Sequence, residues 1–287
     1  MRYFRGALLI ILIHTLLIPI SEAAADDPLM MGVFPRRNVK LTHQMFTPLA
    51  EYLSQQLGRE VRLKTSKDFK TFWADLHKHE FDLVHFNQYH YVVANENLGY
   101  QAIVKNVEFG EGTIAGAIMV RTDSGIKSLE DLRGKRVLFG GGPRAMISYV
   151  VPTYMLRMAG LNKGDYQELF AKNPPNAILA TYHKQADAAG IGTVVSRLKM
   201  VNQTIDIGEL KILIKGDDLT HLPWAVRGDM PAETRDKIQK SMAELKNTLA
   251  GQAVLDAMEM SDMQSVKDSD YDQHRAIIDY VYPQGRP

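Results

Sequence analysis

In the first half of the chain, short continuous runs of apolar residues alternate with segments in which apolar residues recur every three or four positions. Three short runs predict buried strands: Leu29 to Phe34, Val61 to Leu63 and Phe81 to Phe86. Three helical spacings predict the helices that follow them: Thr47 to Leu57 with Pro48 in the first turn, Phe69 to His79, and Gln88 to Asn97. This repeated strand–helix order predicts a parallel sheet with helices on both faces.

The same pattern restarts after an extended apolar stretch from Thr113 to Thr122. Further strands are predicted at Val137 to Phe139, Tyr166 to Phe170, Ala186 to Ala189 and Leu210 to Ile214. Helices are predicted from Ile147 to Met158 with a kink at Pro152, from Pro174 to Tyr182, and from Pro231 with Ile238, Met242, Leu245 and Leu249 on the buried face. We therefore expect two α/β lobes with a ligand cleft between them. Lobe 1 is expected at 28–114 plus 215–287 and lobe 2 at 120–209, with hinges near 115–119 and 210–214.

The segment from Asp123 to Gly142 predicts a strand that ends in a glycine turn. Ser128 and Asp131 form a capping box for a short helix, which Gly134 ends. Glycines 140–142 then follow the strand and allow close backbone approach. A strand–glycine–helix corner directs unpaired N–H groups to one point, so this corner favours an anion.

The N-terminus has the pattern of a secretory signal peptide, residues 1–25. Arg2 and Arg5 precede an apolar run from Gly6 to Ile20, and residues 23–25 supply an A-x-A cleavage site. The run is shorter than the roughly 20 residues of a membrane-spanning helix, although an uncleaved anchor is the alternative. We expect a mature chain that begins near Asp26 in the periplasm.

Composition excludes several classes of protein. The net charge at pH 7 is +1, which gives no support for nucleic-acid binding. The sequence has no cysteine, so disulfides, thiolate metal sites and a lipid-modified N-terminal cysteine are excluded. The charged fraction of 23% and the hydrophobic fraction of 45% are ordinary for a folded protein, and about 260 mature residues suit two lobes.

Several segments resemble the substrate-binding proteins of phosphate, phosphite and phosphonate ABC transporters, which have the type II periplasmic-binding fold. The matching segments are the first strand with Pro35, residues 47–61, 81–94, 123–141, 149–161 and 185–190. The resemblance covers essentially the whole mature chain. It implies a ligand bound between the lobes, consistent with the binding of ligands beyond the carboxyl ends of strands in open α/β sheets.

The anion signature of that family is missing here. The Ser-Thr-Ser-Gly run that follows the family's glycine turn falls on residues 145–148, where only Ser148 has a hydroxyl. The family's histidine falls on Pro175, whereas its aspartate is retained as Asp187 and its first-lobe aromatic residue as Phe69. A phosphonate is therefore a weak expectation, and any bound oxyanion must depend on backbone amides and Arg144.

Ten residues are the candidates for ligand binding. They are Phe69, Asn87, Gln88, Tyr89, Gly141, Gly142, Arg144, Ala145, Met146 and Asp187. Asn87 to Tyr89 open a helix and could equally be a cap and a packing tyrosine. Arg144 could equally be a solvated arginine, and Asp187 could cap a turn.

Two other motifs are set aside. Residues 140–145 match G-x-G-x-x-A, but the motif is mid-chain with proline at the helix entry, so no dinucleotide cofactor is expected. His77 and His79 do not share a helix face, and no carboxylate cluster completes a site, so no metal is expected.

Three functions remain open on sequence. The first is a monomeric solute-binding protein that closes on a small ligand for an ABC transporter permease. The second is a sensor component of the same fold that acts on a membrane kinase. The third is a periplasmic enzyme, which is disfavoured because no nucleophile–base pair is found, so no catalytic residue is assigned.

Overall fold

The computed structural model describes residues 27–35 and 37–287, so the predicted signal peptide lies outside the described residues. The strands form two main sheets in a two-lobed α/β arrangement. Among the described residues, no helix combines the length and apolar character that a membrane span requires.

The first sheet has six strands from both ends of the chain. In spatial order they are β13 (Asp262–Ser265), β4 (Gln101–Val107), β12 (Pro223–Val226), β3 (Leu83–His85), β1 (Leu29–Val33) and β2 (Val61–Thr65). β1 lies parallel to β2 and β3, whereas β12 runs antiparallel to β3 and β4. The carboxyl ends of β1 and β3 therefore lie at the same edge of this sheet.

The second sheet has five strands from the middle of the chain. In spatial order they are β10 (Leu210–Lys215), β6 (Gly116–Arg121), β9 (Ala188–Gly192), β7 (Arg136–Phe139) and β8 (Gln167–Phe170). β7 lies parallel to β8 and β9, and β6 runs antiparallel to β9 and β10.

The chain crosses between the sheets next to a two-stranded ribbon, β5 (Thr113–Ile114) paired with β11 (Leu219–Thr220). The segments expected to be hinges fall largely inside β6 and β10, which pair with each other in the second sheet. The crossings are therefore at the ribbon, just outside those strands.

Helices cover the sheets. They are α1 (Val39–Leu57), α2 (Phe69–His77), α3 (Gln88–Leu98), α4 (Val151–Met158), α5 (Pro174–Tyr182), α6 (Lys199–Asn202), α7 (Ala232–Ala243), α8 (Leu249–Ala257) and α9 (Asp272–Val281). α1 buries Phe46, Leu49 and Leu53 in the core of the first sheet. α9 packs against α3 and α4 and so connects helices that cover different sheets.

Three helix predictions were wrong in detail. α1 begins at Val39 because the Asn38 side chain accepts from the Leu41 N–H, which leaves Pro48 inside the helix. The final predicted helix is split between α7 and α8, so Leu249 begins a new helix and is 85% exposed.

The helix after the glycine turn also differs from the prediction. Met146–Val150 form a π-helical turn ahead of α4, in which the N–H groups of Tyr149 and Val150 both donate to the Ala145 carbonyl, at 2.9 and 3.1 Å. Pro152 is then the second residue of α4, where a missing N–H is tolerated, rather than a kink in the helix interior.

Candidate functional site

A cleft of about 750 Å³ lies at the carboxyl ends of strands from both sheets. On the first sheet's side it is lined by residues after β1 and β3 and by the start of α2. On the second sheet's side it is lined by residues after β7, β8 and β9. Because loop residues with free polar groups gather at this edge, it is the expected place for a ligand in an open α/β sheet.

Eight of the ten predicted residues line this cleft. They are Phe69, Asn87, Gln88, Gly141, Gly142, Arg144, Ala145 and Met146. The cleft brings together segments that are far apart in the sequence. Asn87 and Arg144, for example, are separated by 57 positions and meet here because of the sheet topology. Their contact with a ligand stays a prediction.

The glycine turn, residues 140–142 after β7, provides backbone N–H donors on the cleft wall that belongs to the second sheet. No described residue accepts a hydrogen bond from the backbone N–H of Gly141, Gly142, Met146, Ile147 or Ser148. Gly141 has φ +151, and a Cβ there would lie 2.9 Å from the Ala145 Cβ, so the turn requires glycine. The Ser148 hydroxyl donates to the Gly140 carbonyl at 3.1 Å and so holds the turn.

The turn is also packed closely against its neighbours. A Cβ on Gly140 would lie 2.5 Å from the Pro174 Cα, and one on Gly190 would lie 2.5 Å from the Phe139 ring. These contacts fix the end of β7 against the start of α5 and against β9. The N–H groups of the turn are therefore held in place before any ligand binds.

The opposite wall is the N-terminus of α3. The Asn87 Oδ1 accepts from the His90 N–H at 2.9 Å, while its Nδ2 donates to the Arg144 carbonyl across the cleft at 3.3 Å. The Gln88 Nε2 donates to the Thr220 carbonyl at 3.4 Å. Asn87 is thus both a helix cap and a link between the two walls.

Positive charge lies at the mouth of the cleft. Arg144 and Lys172 are exposed there, and the Arg144 Nε donates to the Pro287 carbonyl at 2.8 Å. Arg37 also lines the cleft. Glu108 and His221 line it as well, with 3.9 Å between the Glu108 Oε2 and the His221 Nε2. The cations can attract an anion, and the guanidinium fork of Arg144 suits an oxyanion.

Asp187 does not lie in the cleft, so its prediction as a ligand-binding residue was wrong. It precedes β9 and therefore lies at the amino edge of the sheet, away from the glycine turn. Its Oδ2 accepts from the Arg136 backbone N–H at 2.8 Å, and its Oδ1 accepts from the Arg136 guanidinium at 3.0 Å. These hydrogen bonds lower the pKa of Asp187 and join β7 to the segment before β9.

Tyr89 is not among the residues that line the cleft, although its hydroxyl contacts Pro287, which lies at the cleft. Its ring packs against Tyr282 with 6.2 Å between centroids, and its hydroxyl donates to the Pro287 carbonyl at 3.3 Å. Burial raises the pKa of Tyr89, so the phenol stays protonated.

Sequence reasoning missed His90 and the apolar wall. His90 lines the cleft two residues after Gln88, and a helical position alone gave no signal for it. The apolar wall comprises Ile114, Val194, Val195, Leu198 and Leu222. In the sequence these apolar residues look like ordinary core residues, because the local pattern of apolar positions is the same for a cleft wall and for a core.

Comparisons with known proteins agree with this geometry. The model of one protein family, described as "ABC transporter, phosphonate, periplasmic substrate-binding protein", matches residues 31–271. A binding protein component of an ABC phosphonate transporter from Pseudomonas aeruginosa is 18% identical, with a TM-score of 0.74 over 88% of this chain and 86% of that one.

Two further solved structures are similar. PhnD1 from Prochlorococcus marinus, in complex with methylphosphonate, is 17% identical, with a TM-score of 0.74 over 87% of this chain and 96% of that one. A protein from Xanthomonas citri bound to ATP is 14% identical, with a TM-score of 0.77 over 89% of this chain and 98% of that one. At these identities the similarity establishes the shared fold.

Proposed function

Because the chain belongs to the family of periplasmic substrate-binding proteins of phosphonate ABC transporters and has a solute-binding role, we propose that it binds a small oxyanion in the cleft and delivers it to an ABC permease. The ligand is released unchanged, so the protein is not an enzyme. A ligand recovered chemically altered after incubation would contradict this point.

The glycine turn is the observation that carries the proposal. Six backbone N–H groups of residues 141–148, that of Arg144 included, have no acceptor among the described residues, and the cleft wall on which they lie also contains the Arg144 side chain. Buried or partly buried N–H groups need partners, and an oxyanion can accept several hydrogen bonds at once. Backbone donors thus substitute for the hydroxyl run that the family usually has at this point.

Closure of two lobes would complete the site. We assign lobe 1 to 28–114 plus 215–287, which holds the first sheet, and lobe 2 to 120–209, which holds β7, β8 and β9 of the second sheet. The other two strands of the second sheet, β6 and β10, lie largely in the segments between these ranges. The ligand would shift an existing equilibrium between open and closed forms, because it contacts both walls only when they approach. The bond from Asn87 to the Arg144 carbonyl is a contact that such closure would preserve.

We propose that the protein reaches the periplasm by cleavage of residues 1–25 and works there as a monomer without a lipid anchor. The supporting features are the signal-peptide pattern and the absence of cysteine from the sequence. N-terminal sequencing of the exported protein should find a start near Asp26. Recovery of intact Met1 would refute the cleavage.

Calorimetry with phosphate, phosphite and methylphosphonate tests the ligand class. Arg144→Ala should weaken binding of the anion by about 1.5–3 kcal/mol, the range for hydrogen bonds to charged groups. Ala145→Asp should weaken it more, because a like charge then lies beside the anion. Arg235→Ala, on α7 and outside the cleft, is the matched control and should bind as the wild type does.

Two outcomes would contradict the proposal. If none of the three anions binds the wild-type protein, the oxyanion function is wrong. If the anion binds but both cleft variants retain full affinity, the glycine turn and Arg144 are not part of the site.

A further inference from the structure

His90 is a buried polar residue that lines the cleft and is hydrogen-bonded to Trp73 through Nδ1. We propose that His90 is a ligand-binding residue, a neutral imidazole that donates its Nε2–H to an oxygen of the bound anion. This inference rests on the proposed function and identifies a further residue that determines its specificity.

The tautomer of His90 is determined by Trp73. The Trp73 Nε1 lies 2.7 Å from the His90 Nδ1. An indole N–H can only donate, so the Nδ1 must be the acceptor and cannot carry a proton in this hydrogen bond. A neutral imidazole has one proton, which is therefore on Nε2.

The orientation of the ring is fixed from two further sides. Phe69 stacks on the imidazole face with 4.5 Å between centroids, and the backbone N–H of His90 is held by the Asn87 side chain. With one face covered and Nδ1 occupied, Nε2 is the polar atom left to meet the cleft that His90 lines. No described residue forms a hydrogen bond with Nε2.

The surroundings also keep the ring uncharged. Burial, and to a smaller extent the charge of Arg144, lowers the pKa of His90 to about 3. Its position in the first turn of α3 acts in the same direction, because the helix N-terminus disfavours a cation. Around neutral pH His90 therefore offers a fixed donor and no acceptor.

Arg144 and His90 both line the cleft, and the Arg144 carbonyl accepts a hydrogen bond from Asn87, three residues before His90. Arg144 belongs to the glycine-turn wall and His90 to the opposite wall, so their donors approach one cleft from two sides. An oxyanion between them accepts from both. A ligand group that must donate has no acceptor at His90, so this position selects oxygen acceptors.

The alternative is that His90 only fills space between Phe69 and Trp73. His90→Phe separates the two roles, because phenylalanine retains an aromatic ring for stacking but has no N–H. We expect the affinity for the anion that binds the wild type, among phosphate, phosphite and methylphosphonate, to fall about 10- to 150-fold. His43→Phe, at an exposed position of α1, is the matched control and should bind with unchanged affinity.

A second measurement does not need a ligand. Long-range ¹H–¹⁵N NMR spectra should assign His90 as the neutral Nε2–H tautomer, with its signals identified by their loss in His90→Phe. Trp73→Phe removes the indole donor and should produce a mixture of tautomers. Because Trp73 fixes the tautomer whether or not a ligand binds, this measurement tests the premise that Nε2 carries the donor proton, and the affinity of His90→Phe tests the contact with the anion.

The outcomes separate the two claims. If the anion binds wild type and His90→Phe equally, or if His90 is found charged or as the Nδ1–H tautomer, the donor role is overturned while the oxyanion function stands. If the wild type binds none of the three anions, the oxyanion function fails and the donor role fails with it.

Discussion

Lowering the pH from 7 to 5 should destabilise the protein through two buried histidines, His90 and His274. Burial is the main cause in both and lowers each pKa to about 3, with nearby Arg144 and Arg275 acting in the same direction. A weak backbone contact with Thr220 opposes the shift of His274. In the unfolded chain a histidine has a pKa near 6.5, so the unfolded state binds protons that the folded state rejects.

The size of the effect follows from linkage between protonation and folding. The pKa of each histidine is lower in the folded state than in the unfolded state. The protein therefore keeps its full stability above about pH 6.5 and loses it progressively as the pH falls towards 3. At pH 5 each histidine should reduce the free energy of unfolding by about 2 kcal/mol. Together the two should remove about 4 kcal/mol, a large part of the ~5–15 kcal/mol that stabilises a typical domain.

Urea denaturation at pH 7, 6 and 5 measures this effect, and His274→Leu isolates one half of it. Leucine cannot bind a proton, so the variant should lose about 2 kcal/mol less than the wild type between pH 7 and 5. The comparison cancels every other titrating group common to both proteins. His43→Leu, at an exposed site, should retain the wild-type slope. Parallel loss of stability in wild type and His274→Leu would refute the reasoning.

Three further substitutions probe the scaffold. Asp187→Ala should lower the free energy of unfolding by about 1 kcal/mol, because the partly buried N–H of Arg136 loses its acceptor. Anion affinity should be unchanged in calorimetry, and altered affinity would return Asp187 to the site. Gly190→Ala should lower stability by about 1–3 kcal/mol through overlap with Phe139, and an unchanged melting temperature would contradict this. Gly141→Ala strains the turn by about 1–3 kcal/mol and should weaken anion binding, whereas full affinity would show that the turn tolerates a side chain.

Much of the secondary structure could be predicted from the local sequence, because the spacing of apolar residues and the position of turn residues are determined within a few neighbouring positions. The helix at Pro174–Tyr182 lies where proline and spacing predicted it, and β10 begins at the predicted Leu210. The start of α1 was misplaced because Pro48 is typical of a first turn, whereas the Asn38 cap lies nine residues before the predicted start at Thr47. A proline is tolerated inside a long helix only when packing compensates, which sequence spacing does not reveal.

The site was predictable where it depends on strand ends. The glycine turn and Asn87 directly follow strands, so their place at the cleft follows from topology. Asp187 was misassigned because a residue beside a strand can lie at either edge of the sheet, and the strand begins later than expected, at Ala188. The tautomer of His90 depends on Trp73, which lies 17 residues away on another helix, and no local signal encodes that contact.

The π-helical turn at Met146–Val150 has a consequence for the length of the chain. A π turn holds one residue more than an α turn, so the segment carries the equivalent of a one-residue insertion between the glycine turn and α4. Deleting Ile147 would leave α4 in register while rotating the preceding residues by about 100° and drawing them back by about 1.5 Å. A one-residue deletion in this turn is therefore expected to redirect the glycine-turn donors at the cleft without altering any of their side chains.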